Sequence, residues 1–102
     1  MDIKELTEEM HRLVHSKGWY AEDSKRPQTP RNLAISLAVE AAEILEHFQF
    51  HEQARDKDEL AGELADVALY LLQLASVSGI DLEKAILDKI DVNKTREWDV
   101  EE

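Results

Sequence analysis

Two pairs of carboxylates interrupt the most apolar part of this sequence, and they limit the possible folds more than any other feature. The first pair is Glu40 and Glu43, and the second is Glu63 and Asp66. Residues three positions apart lie on the same face of an α-helix, so each pair presents two carboxylates side by side. Because burying unpaired charge is costly, their apolar surroundings require a counter-charge, and a divalent cation is the simplest one.

Hydrophobic periodicity predicts an all-α chain with four helices. The third predicted helix is apolar on more than one face, so we expect it to be central. The fourth is expected to turn Ala85, Ile86 and Ile90 inward. The expected helices span, in chain order, residues 2–17, 30–50, 57–78 and 82–95.

Short local signals predict where these helices begin and end. Thr29, Asp56 and Asp81 are expected N-caps, because such side chains accept hydrogen bonds from the free amides at a helix start. Gly18 and Gly79 are expected to end the first and third helices, since glycine adopts the left-handed conformation that follows many helices.

The chain has 102 residues, which suits a single domain over 1–102 with a modest core. A chain this short gains stability from self-association, so we expect a homo-oligomer. Its charged end, residues 96–102, is expected to be loosely ordered. There is no cysteine, which excludes disulfides and thiolate metal sites and is compatible with a cytoplasmic location.

A formal net charge of −11 limits the partners of the chain. It argues against binding a nucleic-acid polymer or an anionic membrane through a general basic surface. No apolar run is expected to reach the length of a membrane helix, about 20 residues. A nucleotide is also an anion, so nucleotide binding would require intervening cations.

The acidic pairs have two interpretations. They could be solvated helix faces paired with lysines, yet the sequence has no Lys or Arg from Leu33 to Gln53. Alternatively, they bind a metal ion, for which hard oxygen ligands favour Mg²⁺, with Mn²⁺ as a substitute. Such ions polarise phosphoryl oxygens and activate water, which implies phosphoanhydride hydrolysis. The sequence has no Walker A motif, glycine-rich phosphate loop or Ser-His-Asp candidate.

Histidines and the first long loop give weaker signals. We interpret His11 and His15 as surface side chains of an amphipathic helix, because no third metal ligand is adjacent. His47 and His51 are likewise not interpreted as metal ligands. The loop of residues 19–30 is long for so small a domain, a feature typical of functional loops. Its Trp19 either anchors the edge of the core or stacks on a ligand.

Longer blocks of the sequence resemble a known family. The chain is similar to the all-α nucleoside triphosphate pyrophosphohydrolases of the MazG-like group, and to the small single-domain branch related to dCTP pyrophosphatase. The similarity runs from about Trp19 to Trp98. The matching blocks are PRNL at 30–33, EAAEILEHFQF at 40–50, ELADVALYLL at 63–72, GIDL at 79–82 and KIDVNK at 89–94.

The resemblance implies a four-helix, bundle-like MazG fold assembled as a dimer or a dimer of dimers, with each site near a subunit interface. It implies Mg²⁺-dependent cleavage of a (deoxy)nucleoside triphosphate to the monophosphate and pyrophosphate, with a role in nucleotide-pool sanitation. By position, the catalytic and metal-binding carboxylates would be Glu40, Glu43, Glu63 and Asp66. The implied substrate-binding residues are Trp19, Phe50, Tyr70, Lys89, Asn93, Lys94 and Arg96.

The sequence departs from the family pattern in ways that leave the base preference open. The family usually has tryptophan where Phe50 stands, and a histidine common just before the PRNL block is absent. A glycine usual between the first two glutamates is alanine here, which should only tighten the helix. Two alternatives also stay open: a catalytically silent acidic module that binds a partner protein, and a pyrophosphohydrolase of another nucleotide.

Overall fold

Four α-helices make up the fold in the computed structural model, which describes residues 1–96. Its helices are α1 (Ile3–Ser16), α2 (Pro30–Glu46), α3 (Lys57–Val77) and α4 (Leu82–Lys94). The described part of the chain contains no β-strand, so the all-α prediction with four helices is confirmed. Apart from Arg96, the tail predicted to be loosely ordered lies outside the described residues.

The helix starts follow the predicted capping signals. The side chains of Thr29, Asp56 and Asp81 each accept hydrogen bonds from backbone amides in the first turn of α2, α3 and α4. Each such cap stabilises its helix by about 1 kcal/mol. Gly18 and Gly79 follow α1 and α3 with φ angles of 72°, the left-handed conformation expected of them.

The predicted end of α2 is wrong. The helix ends at Glu46, and the chain then passes through tight turns over residues 47–50 rather than continuing to Phe50. Phe50 has a φ angle of 68°, a conformation that no helix residue adopts. The turn carries no glycine or proline, so local sequence gave no sign of it. What holds it is tertiary: the ring of His47 is buried against α3.

The central position of α3 is confirmed, because α3 contacts each of the other three helices. By length and composition alone α3 could also cross a membrane, contrary to the expectation that no segment is long enough. However, it carries Glu63 and Asp66 within its span. It contacts α1, α2 and α4, yet only 17% of its most apolar window is buried in one protomer.

The fourth helix packs less closely than predicted. It contacts α1 and α3 but not α2, and none of its residues is buried. Ile86 and Ile90, expected to point inward, are 41% and 46% exposed, and Ala85 is exposed too. They are exposed because no described element covers this face. The buried apolar residues among residues 1–96 are Met10, Val14, Leu33, Leu72 and Ala75.

Candidate active site

The packing of α2 against α3 brings the two acidic pairs together. Burial raises the pKa of the Glu40 carboxyl, and the nearby charges of Glu43, Asp66 and Glu63 raise it further. Glu43 lies on the same helix as Glu40, α2, whereas Glu63 and Asp66 lie on the facing helix, α3. The four carboxylates predicted from local spacing are thus electrostatic neighbours in the folded chain.

A divalent cation fits this donor set. All four groups offer hard carboxylate oxygens, the ligands that Mg²⁺ prefers. Burial first, and then the nearby charges of Glu43, Asp66 and Glu63, raise the pKa of Glu40, and a bound cation would relieve the repulsion among these charges. Among residues 1–96, however, no three His, Asp or Glu side chains are arranged to hold a metal ion. The assignment of the four as metal ligands therefore stays a prediction.

One of the four carboxylates is held by a histidine that sequence reasoning set aside. The Nε2 atom of His47 lies 2.6 Å from Oε2 of Glu63, and His47 is only 5% exposed. Its Nδ1 atom is buried and has no hydrogen-bond partner among the described residues. His47 thus fixes one oxygen of Glu63 across the α2–α3 contact. The turn that places it there could not be foreseen from helical spacing.

A cavity of about 500 Å³ adjoins the acidic groups between α1, the 19–30 loop, α2 and α3. Four of the predicted site residues line it, and they combine two carboxylates with two aromatic rings: Trp19, Glu40, Asp66 and Tyr70. The loop adds positive charge at the same place. The guanidinium carbon of Arg26 lies 5.6 Å from the ring centroid of Trp19, close enough for a cation–π contact.

Two glutamines that sequence reasoning missed also line the cavity. Gln73 is 3% exposed and donates hydrogen bonds to Gln28 and Tyr20. The sequence could have predicted the position of Gln73. It follows Asp66 by seven positions and Tyr70 by three, which places all three residues on one face of α3.

The prediction that His11 and His15 are both surface side chains is wrong for His11 and confirmed for His15. His11 is half-buried rather than a surface side chain, and its ring nitrogens lie 2.6 Å from the hydroxyl of Tyr20 and 2.7 Å from that of Ser76. His15 is exposed as expected, and its ring lies edge-on to Tyr20. Burial lowers the pKa of His11, and the neighbouring His15 lowers it further.

Other predicted residues do not line the cavity of their own chain. Phe50 is 94% exposed and lies beyond the end of α2. Asn93 on α4 has a buried Oδ1 atom without a hydrogen-bond partner among residues 1–96. Lys94 pairs with Asp91 at 3.4 Å. The predicted residues outside the cavity lining are Glu43, Phe50, Glu63, Lys89, Asn93, Lys94 and Arg96.

The fold and the acidic site define the class of the chain: residues 35–102 match the MazG-like family, and the protein belongs to that family. The resemblance read from the sequence blocks is confirmed. A crystal structure of a pyrophosphatase from Archaeoglobus fulgidus is similar throughout, with a TM-score of 0.76, 34% identity and coverage of 92% of each chain.

Curated relatives carry nucleotide-hydrolase names. The chain is 34% identical to dCTP pyrophosphatase 1 of Homo sapiens over 101 residues, covering 90% of this chain and 59% of the relative. It is 47% identical to a dATP/dGTP diphosphohydrolase of Salmonella phage PMBT28 over 38 residues, 37% of this chain and 13% of that one. The chain thus spans about three-fifths of the length of the dCTP pyrophosphatases it matches.

Proposed function

We propose that this protein hydrolyses a nucleoside triphosphate to the monophosphate and pyrophosphate, with Mg²⁺ or Mn²⁺ as cofactor. The observation that carries the proposal is the meeting of four carboxylates from α2 and α3 beside a cavity lined by aromatic rings. Membership of the MazG-like family and the activities for which its relatives are named support the same reaction. Sanitation of the cytoplasmic nucleotide pool would be its role.

The carboxylates Glu40, Glu43, Glu63 and Asp66 would hold the metal ion. When bound, the ion supplies positive charge that offsets the triphosphate and polarises its phosphoryl oxygens. The net charge of −11 makes such a counter-charge necessary, because the chain would otherwise repel its own substrate.

The residues of the chain itself bind and orient the substrate. Trp19 and Tyr70 offer ring faces on which a nucleobase can stack. Lys25 and Arg26 also line the cavity and place positive charge there, which favours an anionic ligand. A carboxylate of the acidic set orients a water molecule and accepts its proton. The water oxygen bonds to the α- or the β-phosphorus as the phosphoanhydride bond between them breaks, which yields the monophosphate and pyrophosphate.

A second copy of the chain would complete the site. The α4 face that includes Ile86, Leu87 and Ile90 is exposed in one protomer. Lys89, on the same helix, does not line the cavity. A homodimer, or a dimer of dimers, that covers this face would bury apolar surface worth about 25 cal/mol per Å². It would also bring the α4 residues implied by the resemblance to the cavity of a neighbouring subunit.

The proposal is tested by incubating the full chain with each canonical deoxynucleoside and ribonucleoside triphosphate, with Mg²⁺ or with EDTA, and measuring pyrophosphate. We expect pyrophosphate release from at least one nucleotide with Mg²⁺ and none with EDTA. Absence of release from the whole panel and from modified nucleotides would refute the proposal. A calorimetric titration that also detects no Mg²⁺ binding would then favour the silent interaction module.

A further inference from the structure

The inner wall of the cavity carries a buried amide that the proposed reaction does not use. Gln73 is 3% exposed and lines the cavity from α3. It lies seven residues, or about 10 Å along the helix, from Asp66 at the acidic end. A buried amide in a ligand cavity must have its donors and acceptor satisfied, so its orientation determines which ligand atoms can face it.

The backbone of the 19–30 loop fixes that orientation. The Nε2 atom of Gln28 donates to the carbonyl oxygen of Arg26 at 2.6 Å, and a carbonyl can only accept. The Oε1 atom of Gln28 therefore faces Gln73, whose Nε2 donates to it at 2.7 Å. Reversing either amide would bring two carbonyl oxygens or two amino groups together.

A second chain of hydrogen bonds agrees with this direction. The other Nε2 hydrogen of Gln73 is donated to the hydroxyl of Tyr20 at 3.2 Å. The Tyr20 hydroxyl can then donate to Nδ1 of His11 at 2.6 Å, while Nε2–H of His11 donates to Ser76 at 2.7 Å. A neutral His11 supplies this one acceptor and one donor, and burial, which lowers its pKa, favours the neutral ring.

Both Nε2 hydrogens of Gln73 are thus donated to other side chains, whereas its Oε1 accepts no hydrogen bond within residues 1–96. A ligand that fills the cavity meets an acceptor at this point. It gains a hydrogen bond only if it presents an N–H or O–H group, and a ligand carbonyl there would face another oxygen.

We propose that Gln73 is a specificity-determining residue, whose Oε1 accepts a hydrogen bond from the exocyclic amine of the substrate base. This inference rests on the proposed function, which places the phosphates at Glu40 and Asp66 and the base beside Trp19 and Tyr70. The base edge remote from the sugar then faces Gln73. On that edge cytosine and adenine carry an amine, whereas uracil, thymine, guanine and hypoxanthine carry a carbonyl oxygen.

Matched substrates test this inference, because dCTP and dUTP differ only at one exocyclic group and in the hydrogen on the adjacent ring nitrogen, as do dATP and dITP. We expect kcat/KM for the amine-bearing member of each pair to be roughly 10- to 100-fold higher. The apolar variant Gln73→Met should reduce both ratios to about threefold or less. Gln53→Met is the matched control, since Gln53 is exposed outside the cavity, and it should leave both ratios unchanged.

Tyr20→Phe sharpens the test further. It removes one partner of Gln73 but leaves Gln28 and the Arg26 carbonyl, which set the amide direction, so the preference for an amine should persist. Wild-type ratios near one, or a Gln73→Met ratio equal to that of wild type, would overturn the inference. If Gln73→Met does not fold, the wild-type ratios still decide.

A binding measurement separates this inference from the proposed function. Calorimetry in EDTA compares dCMP with dUMP on the intact chain and requires no turnover. Tighter binding of dCMP supports the role of Gln73 even if no triphosphate is cleaved, which would refute only the proposed reaction. Equal binding of the two, or binding of neither, overturns the inference whatever the enzyme assay shows.

Discussion

Two regions of the protomer differ sharply in how well their side chains are packed and hydrogen-bonded within one chain. One is the cavity beside α2 and α3, and the other is helix α4. Around the cavity, buried side chains such as Gln73 and His47 have hydrogen-bond partners from distant parts of the chain, although Nδ1 of His47 has none among the described residues. In α4 no residue is buried, and apolar side chains such as Ile90 face outward. Asn93 leaves a buried oxygen without a partner in the described part of the chain.

This difference indicates which part of the site each region supplies. The cavity orients its amides by hydrogen bonds within one protomer, because Gln73 donates to Gln28 and Gln28 donates to the Arg26 carbonyl. The α4 helix has an exposed apolar face and two lysines, Lys89 and Lys94. Neither lysine lines the cavity of its own chain. The proposed oligomer would explain both features. A second copy packed on α4 would bury the apolar face, and the α4 lysines would lie at the cavity of the neighbouring subunit.

Removing a carboxylate from the cavity should have the largest effect. We expect Asp66→Asn to lower kcat/KM by about 1,000-fold or more, since a metal ion supplies several kcal/mol of transition-state stabilisation. Pyrophosphate release measures the loss, and circular dichroism checks that helicity is intact. Glu59→Gln, on the same helix but exposed, is the control and should stay active. A fully active Asp66→Asn enzyme would refute the metal assignment.

A charge on the exposed face of α4 should break the assembly. Ile90→Asp is expected to shift the protein from oligomer to monomer in light scattering, because burying an unpaired carboxylate costs several kcal/mol. Activity should fall by at least about tenfold if α4 completes a neighbouring site. Glu83→Gln, a change at an exposed acid of the same helix, serves as the control. A monomeric wild-type protein would instead show that each cavity is complete alone.

Loss of the His47 ring should weaken metal binding without abolishing it. His47→Leu leaves Glu63 without the hydrogen bond that fixes its Oε2, and changes to such supporting residues typically cost about 10-fold in metal affinity. Calorimetric titration of Mg²⁺ into the nucleotide-free protein measures this. His51→Leu, at an exposed histidine four residues later, should bind Mg²⁺ like wild type. Equal affinities of the two variants would exclude a supporting role for His47.

The smallest expected effect is a gain in stability. Because the pKa of Glu40 is raised in the folded state, the folded protein binds its proton more tightly than the unfolded chain does. Stability is therefore greatest below the unfolded pKa and declines as pH rises through the folded pKa. In EDTA at neutral pH, Glu40→Gln should raise Tm by about 2–4 °C, equivalent to about 0.5 kcal/mol. A lower Tm at neutral pH would show that Glu40 is not under repulsion.

Local sequence predicted those parts of the fold that depend on neighbours along the chain. Thr29 and Asp81 could be recognised as caps because a cap needs only its own helix. The acidic pairs could be found because a spacing of three sets their common face. The end of α2 could not, since it depends on His47 reaching Glu63, sixteen positions away, and no glycine or proline marks the turn.

The same distinction applies to the candidate site. Gln73 and Gln28 are 45 positions apart, and their contact follows only from how the 19–30 loop folds over α3. The inward face assigned to α4 was wrong in the protomer for a related reason. Apolar periodicity shows that a surface such as that of Ile86 should be covered, but not whether the same chain or a second copy covers it.

The bond that the protein cleaves is the most direct test of the account. Phosphorus NMR of the full chain with Mg²⁺ and a nucleoside triphosphate that it turns over would identify every product. We expect nucleoside monophosphate and pyrophosphate in equal amounts, both absent when EDTA is added. Formation of nucleoside diphosphate and orthophosphate, or cleavage that continues in EDTA, would contradict it.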